Sequence, residues 1–250
     1  TYNDFQFKVK HNFNHKNQLT LIGLGAIDNF ALNLKANETE EQQYTLNYLP
    51  VNEQWNYSIG AKYTNFREKS YTNLVISRFM LNNTASKFEN NDENNEQLLD
   101  YQSQEIENKL RVENFYKNKN WSTSGGFNFE EVKYNTNTLD KRLPNDFVLD
   151  YQSELQLLKW GVFGNVSRTL FRRLDLSLGL RADAINYNDE MSNLLNQLSP
   201  RISASYNVSD AFSINANWGI YYQLPPYTTF GFRDSVGDLV NTNLSYIKSE

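Results

Sequence analysis

From Leu174 to Tyr222 the chain keeps one rhythm, a change of residue character at every second position. Leu174, Leu176, Leu178, Leu180, Ala182 and Ala184 fall on one side, and Asp175, Ser177, Gly179, Arg181 and Asp183 on the other. The alternation returns in Leu198–Val208, where Ile202, Ala204, Tyr206 and Val208 oppose Arg201, Ser203, Ser205 and Asn207. It returns again in Phe212–Tyr222, where Ile214, Ala216, Trp218 and Ile220 oppose Ser213, Asn215, Asn217 and Gly219. A period of two marks a strand with two unlike faces. Strands in soluble proteins average about 5–6 residues, whereas a tilted strand needs about 9–11 to cross a bilayer. Each of these three runs is at least eleven residues long. Their length predicts an all-β chain whose antiparallel strands span a membrane.

Composition is consistent with that and removes other classes. Mean hydropathy is −0.68, and no run approaches the roughly 18 apolar residues of a membrane helix. A barrel wall escapes that test because every second residue faces lumen or water. The formal charge of −5 offers no basic surface for nucleic acid. The absence of cysteine removes disulfides and thiolate chemistry. No basic-then-apolar leader opens the sequence at Thr1–Lys10, and Tyr246–Glu250 brings no closing element. Residues 1–250 are therefore expected to be a single segment of a longer protein.

Ten strands are expected. Before the three above come Phe5–Phe13, Gln18–Leu34, Gln54–Phe66, Tyr71–Leu81, Glu105–Tyr116, Trp121–Tyr134 and Glu154–Leu170. The alternation blurs at Ile22–Ala26, which predicts a bulge or change of phase, and a phase switch is expected near Glu130–Glu131. Ala36–Pro50 reads mainly as loop, and Leu224-Pro225-Pro226 leads into an open polar segment. The connections alternate. Asn14–Asn17, Arg67–Ser70, Lys117–Asn120, Phe171–Arg173 and Ser209–Ala211 are short; Ala36–Glu53, Asn82–Gln104, Asn135–Ser153 and Asp189–Gln197 are long. Short turns on one rim and long loops on the other are the pattern of an outer-membrane barrel. Phe13, Phe66, Tyr71, Tyr116, Trp121, Phe171 and Phe212 cluster beside the short turns, where a girdle at headgroup level is expected.

The run LSPRISASYNVSDAFSINANWGIYYQLPPYTTF at Leu198–Phe230, with TLIGLGAIDNFALNL at Thr20–Leu34, resembles the barrel of TonB-dependent outer-membrane receptors. The resemblance rests on an SPR-type strand start, a tight turn and a second strand ending in a Tyr-rich rim. It implies a 22-stranded barrel of which this chain supplies about ten strands, with short periplasmic turns and long extracellular loops. It also implies a plug domain ahead of Thr1, closing strands after Glu250, and residence in the outer membrane of a Gram-negative bacterium. The function implied is import of a scarce ligand (siderophore, vitamin or oligosaccharide) with energy from TonB. The implied partners are outer-membrane lipid and lipopolysaccharide, the TonB complex reached through the plug segment, the small-molecule or oligosaccharide ligand, and a surface lipoprotein. A passive pore and a surface β-rich adhesion module stand as alternatives.

Function in such a wall falls to polar side chains facing the lumen: Glu107, Lys109, Arg111, Arg181, Asp183, Arg201, Asn215 and Asn217. Mixed charges there hold a plug, steer a polar ligand, or simply solvate the wall. Arg181 and Asp183, two apart on one face, are placed to pair. Tyr221, Tyr222 and Tyr227 are rim aromatics that either stack on a ligand ring or hold a loop. Catalysis finds no support. His11 and His15 straddle a turn without converging on a metal, and the acidic run Asn91–Glu96 lacks the central glycine of a calcium loop. There is no phosphate loop and no nucleophile elbow, so the chain is read as neither an enzyme nor a cofactor binder.

Overall fold

The computed structural model describes residues 2–234 and 236–250. One antiparallel sheet holds ten strands in sequence order. They are β1 (Tyr2–Asn14), β2 (Asn17–Phe30), β3 (Val51–Phe66), β4 (Ser70–Phe88) and β5 (Gln97–Asn118). Then follow β6 (Trp121–Asp140), β7 (Leu149–Leu170), β8 (Leu174–Ile185), β9 (Leu198–Ser209) and β10 (Phe212–Gly219). Each of the ten expected strands is present, and the short and long connections alternate between the two rims. The sheet is a barrel wall whose two edges, β1 and β10, are unpaired among the described residues.

Register fixes which side chains share a face. Ala61, Ile76, Leu110, Phe129, Trp160 and Ala184 form one continuous row across six strands. Leu74, Ile76, Phe127, Val162, Leu178, Leu180, Ile202, Ile214 and Trp218 all sit exposed on that side. This is the outer, lipid-facing surface. One row further from the short turns it becomes polar: Ile59 is followed by Arg78, Asn108 and Glu131. Arg78 Nε donates to the Tyr57 hydroxyl at 3.0 Å and its Nη1 to Asn108 Oδ1 at 2.9 Å, while Asn108 Nδ2 donates to Glu131 Oε2 at 3.1 Å. That ladder marks where the apolar band ends.

Beyond the band the strands continue. β4 has 19 residues, β5 and β7 have 22 each and β6 has 20, against the 9–11 a bilayer requires. The sequence places loops at 82–104 and 135–153, and both regions prove to be mostly strand. The reason is physical: above the bilayer neither face needs to be uniformly apolar, so alternation lapses while the ladder hydrogen bonds persist. The first long connection is likewise not all loop. It contains α1 (Glu40–Tyr48), started by a capping box in which Thr39 Oγ1 accepts from the Gln42 amide at 3.2 Å. The last turn of α1 is capped by Lys87. Its buried ammonium donates to the carbonyls of Leu46 and, at 3.0 Å, Leu49.

Three expectations change. The pairing of β2 with β1 and β3 runs unbroken through Ile22–Ala26, so no bulge lies there. The pattern blurs because Gly23 and Gly25 take outward positions and the rings of Phe7 and Phe5 lie over them. A Cβ on either glycine would meet ring carbons at 2.2 and 2.1 Å. The pairing of β6 is equally unbroken at Glu130–Glu131. The faces exchange chemistry without any slip: Val132 and Tyr134 turn inward to a buried apolar cluster, and Glu131 and Lys133 turn outward above the bilayer. The aromatic girdle is also divided. Trp121, Tyr116 and Phe212 share the parity of the outer face, but Phe66 and Tyr71 pair in register with inward-facing Phe115.

The polar exit expected beyond Tyr222 changes most. After Gly219 the chain forms β11 (Tyr221–Gln223), which pairs with β12 (Ile247–Ser249), and between them lies α2 (Tyr227–Phe230). Pro225 and Pro226 cannot donate to a ladder, so β11 stops there. Instead of leaving as an open polar segment, residues 224–234 and 236–246 fold against the inner face of β6, β7 and β8. Phe230 and Tyr246 are buried with Val132, Tyr134, Leu155, Leu157, Ile185 and Met191, and Tyr187, Tyr222, Leu224, Leu239 and Leu244 pack around them.

Candidate lumenal site

Two neighbouring regions of the inner face carry the polar candidates. The upper one lies under the in-folded segment. The tight turn that joins β5 to β6 sets a register that places Lys109 opposite Glu130, and the β6–β7 register places Glu130 opposite Lys159. Glu107 is reached by Lys109 Nζ at 2.5 Å and Lys159 Nζ at 3.3 Å, and Lys159 Nζ lies 2.7 Å from Glu130 Oε2. The Tyr227 hydroxyl completes the group. It donates to Glu107 Oε1 at 2.6 Å and accepts from Lys159 Nζ at 3.0 Å. Two lysines, two carboxylates and a phenol thus neutralise one another beneath an apolar roof, as half-buried charges must.

Backbone carbonyls of the segment are tied down as well. The Tyr187 hydroxyl reaches those of Phe230 at 3.2 Å and Asn241 at 3.0 Å. Asn188 Nδ2 donates to Thr242 at 3.1 Å and Leu244 at 2.8 Å. Arg233 Nε donates to Ser153 Oγ at 3.2 Å.

The lower region is an open recess of about 450 Å³ lined by Arg111, Phe163, Asn165, Ser177, Arg181, Arg201, Ser203, Asn217 and Tyr221. Arg181 and Asp183 do pair, through Nε–Oδ2 at 2.5 Å and Nη2–Oδ1 at 2.7 Å. Arg111 binds Glu113 at 2.7 Å and lies over the Phe163 ring at 4.7 Å. Arg201 stacks on Tyr221 at 4.6 Å and, among the described residues, has no carboxylate partner. Asn215 lies two residues further along β10, in a separate recess with Asp175, Ser177 and Ser205.

All eight lumenal candidates share the inner face. They do not form one cluster: Glu107 and Lys109 belong to the upper group, and Arg111, Arg181, Arg201 and Asn217 to the recess. Of the rim tyrosines, Tyr221 lines the recess, Tyr222 meets Tyr246 edge-on at 6.4 Å, and Tyr227 is the anchor of the in-folded segment. Glu130 and Lys159 were not singled out from sequence, though each has the inward parity of its strand and the tight-turn register brings them together. Among the described residues no three histidine or acidic side chains are grouped to hold a metal ion, and His11 packs edge-on against Phe13 at 4.8 Å.

The wall has close likenesses in fold. A structure of the ferric enterobactin receptor from Pseudomonas aeruginosa superposes with a TM-score of 0.67 at 11% identity, over 92% of this chain and 34% of that one. The copper transporter OprC gives 0.66 at 11% identity over 91% and 37%. The ferric yersiniabactin uptake receptor FyuA from Yersinia pestis gives 0.62 at 9% identity over 89% and 38%. The chain thus spans little more than a third of the length of these receptors. No curated protein sequence matches it. The family model described as TonB dependent receptor-like, beta-barrel matches residues 1–250 in full. With ten antiparallel strands, tight turns on one rim and tall walls on the other, the chain belongs to the TonB-dependent receptor β-barrel family.

Proposed function

We propose that this chain is wall from an energy-coupled receptor that imports a scarce ligand across the outer membrane of a Gram-negative bacterium. The polypeptide would supply a plug and further strands outside residues 1–250, and TonB would drive release through the plug. The observation that carries the reading is the combination of a full-length family match with a lumenal face of mixed charge. A segment that narrows this lumen from the long-loop rim adds to it.

Ferric chelates and copper are named for the receptors of similar fold. For this chain we favour a metal-bearing or otherwise anionic ligand that passes the arginine-lined recess. Lipid and lipopolysaccharide would surround the wall, and a surface lipoprotein would cap it if the ligand is an oligosaccharide.

The test is uptake by cells carrying the full-length receptor, with and without TonB and with the proton gradient collapsed. Accumulation of a ferric chelate that needs both supports the reading. TonB-independent uptake, or a stable open conductance of the purified protein in planar bilayers, rejects it in favour of a passive pore.

A further inference from the structure

The mouth of the lumen at the short-turn rim holds a recess of different character. Phe66, Tyr71 and Phe115 lie in one register row across β3, β4 and β5. Tyr71 stacks on Phe115 with centroids 4.6 Å apart at 15°, and Phe66 lies 6.1 Å from Tyr71. Their parity is inward, the same as that of Thr64, Asn73 and Glu113 in the next row. These rings therefore stand on a hydrophilic wall, with Phe66 38% and Tyr71 36% exposed.

Together with Arg67, Lys69 and Lys117 the rings line a cavity of about 600 Å³, in which Glu68 is the one acidic lining residue. Among the described residues none of the three cations forms an ion pair. The backbone beneath is fixed. Arg67 N donates to Ser70 O at 2.7 Å and Lys117 N to Lys69 O at 2.8 Å. A chain of bonds from Thr64 through Asn73 to Glu113 and Arg111 braces the next row.

An apolar slot ringed by unpaired cations, on the inside of the wall, fits one kind of occupant. We propose that it docks an acidic peptide segment with an apolar anchor residue, supplied by the same polypeptide from outside residues 1–250. The anchor side chain enters between the rings and its flanking carboxylates meet Arg67, Lys69 and Lys117. The inward parity of the three rings and of Lys117 argues against a lipid headgroup, which would meet the outer face. Receptors of this fold have roughly twice as much chain again beyond the part matched here, and a lumenal slot is open to that chain. The inference rests on the plug reading above and adds the chemistry of one contact.

The test uses the full-length receptor purified from outer membranes, with a benzophenone amino acid in place of Tyr71. Irradiation and peptide mapping should give one cross-link, to a peptide of the same polypeptide with at least two Asp or Glu beside an aliphatic or aromatic residue. The yield should fall at least threefold in 1 M salt and in the triple variant Arg67→Ala, Lys69→Ala, Lys117→Ala. Heat-modifiable gel mobility verifies that each variant is folded. No cross-link, a cross-link to lipid, to another protein or to a segment without carboxylates, or a yield unmoved by the triple variant overturns the proposal. Conductance separates the two readings. A closed channel with no such cross-link removes this docking site alone, whereas an open pore removes the import reading as well.

Discussion

At the scale of one residue, the phenol of Tyr227 joins a segment from beyond β10 to charges on β5 and β7. Tyr227→Phe removes both hydrogen bonds and leaves Glu107 and Lys159 without their third partner. Hydrogen bonds to charged groups contribute about 1.5–3 kcal/mol each, so local opening of residues 224–246 should rise at least tenfold, read as faster amide exchange there. Asp140, on the part of β6 that stands above the bilayer, supplies a pH-dependent contact. Its carboxylate accepts from Arg142 Nε and Nη2 at 2.9 and 2.8 Å and from the Arg142 amide at 2.9 Å. The Arg142 guanidinium holds the Asp140 carboxyl below its ordinary range. A depressed folded value means that this contact stabilises fully above the unfolded carboxylate value of about 3.9 and is lost as pH falls through the folded one. Exchange protection at residues 141–148 should weaken over that acidic window, and Asp140→Asn should abolish the pH dependence. Sequence revealed the parity of such residues but not their partners. Tyr227 and Glu107 are 120 residues apart in the chain, and no local pattern records that they meet.

Elements differ in how much of them hydropathy can reveal. β8, β9 and β10 lie largely between lipid and lumen, and their alternation is legible residue by residue. The upper halves of β4 to β7 have no such contrast, and α1 is betrayed only by the Thr39–Gln42 box. Glycines test the packing between elements. A Cβ on Gly126 would stand 2.2 Å from the Val112 carbonyl and 2.9 Å from Glu113 Cα, whereas one on Gly164 would meet nothing within 4 Å. Gly126→Ala should cost about 1–3 kcal/mol by forcing β5 and β6 apart; Gly164→Ala should stay within about 0.5 kcal/mol. The heat dose needed to unfold each variant, followed by gel mobility, distinguishes them. Lys87→Met makes a second test. Losing the ammonium removes the donor to the carbonyls of Leu46, in the last turn of α1, and Leu49, just beyond it, so amides of residues 40–48 should exchange faster while those of β3 do not.

For the whole molecule, the sequence made the architecture legible through two long-range regularities, the strand length and the alternating connections. The in-folded segment was not legible. Its apolar residues (Leu224, Phe230, Leu239, Leu244, Tyr246) are spaced without a period, because they fit a surface built by other strands. The outer rows predict a sharp boundary in depth along β7. Val162→Lys, within the apolar band, should destabilise by about 2–4 kcal/mol, while Gln156→Lys, three outward positions higher, should change stability by less than about 0.5 kcal/mol. Denaturant unfolding in lipid vesicles measures both.

The tall walls of β4 to β7 also decide what a protease on the long-loop side would find. Cleavage by a protease requires slack backbone, which exposed loop tips provide and paired strands do not. Most of the chain standing above the lipid here is ladder-bonded strand, with compact turns at 89–96 and 141–148. An added protease is left with the flanks of α1 near residues 31–39 as its first point of entry, and an antibody raised against linear peptides from 97–104 or 135–140 would find its target already woven into the sheet.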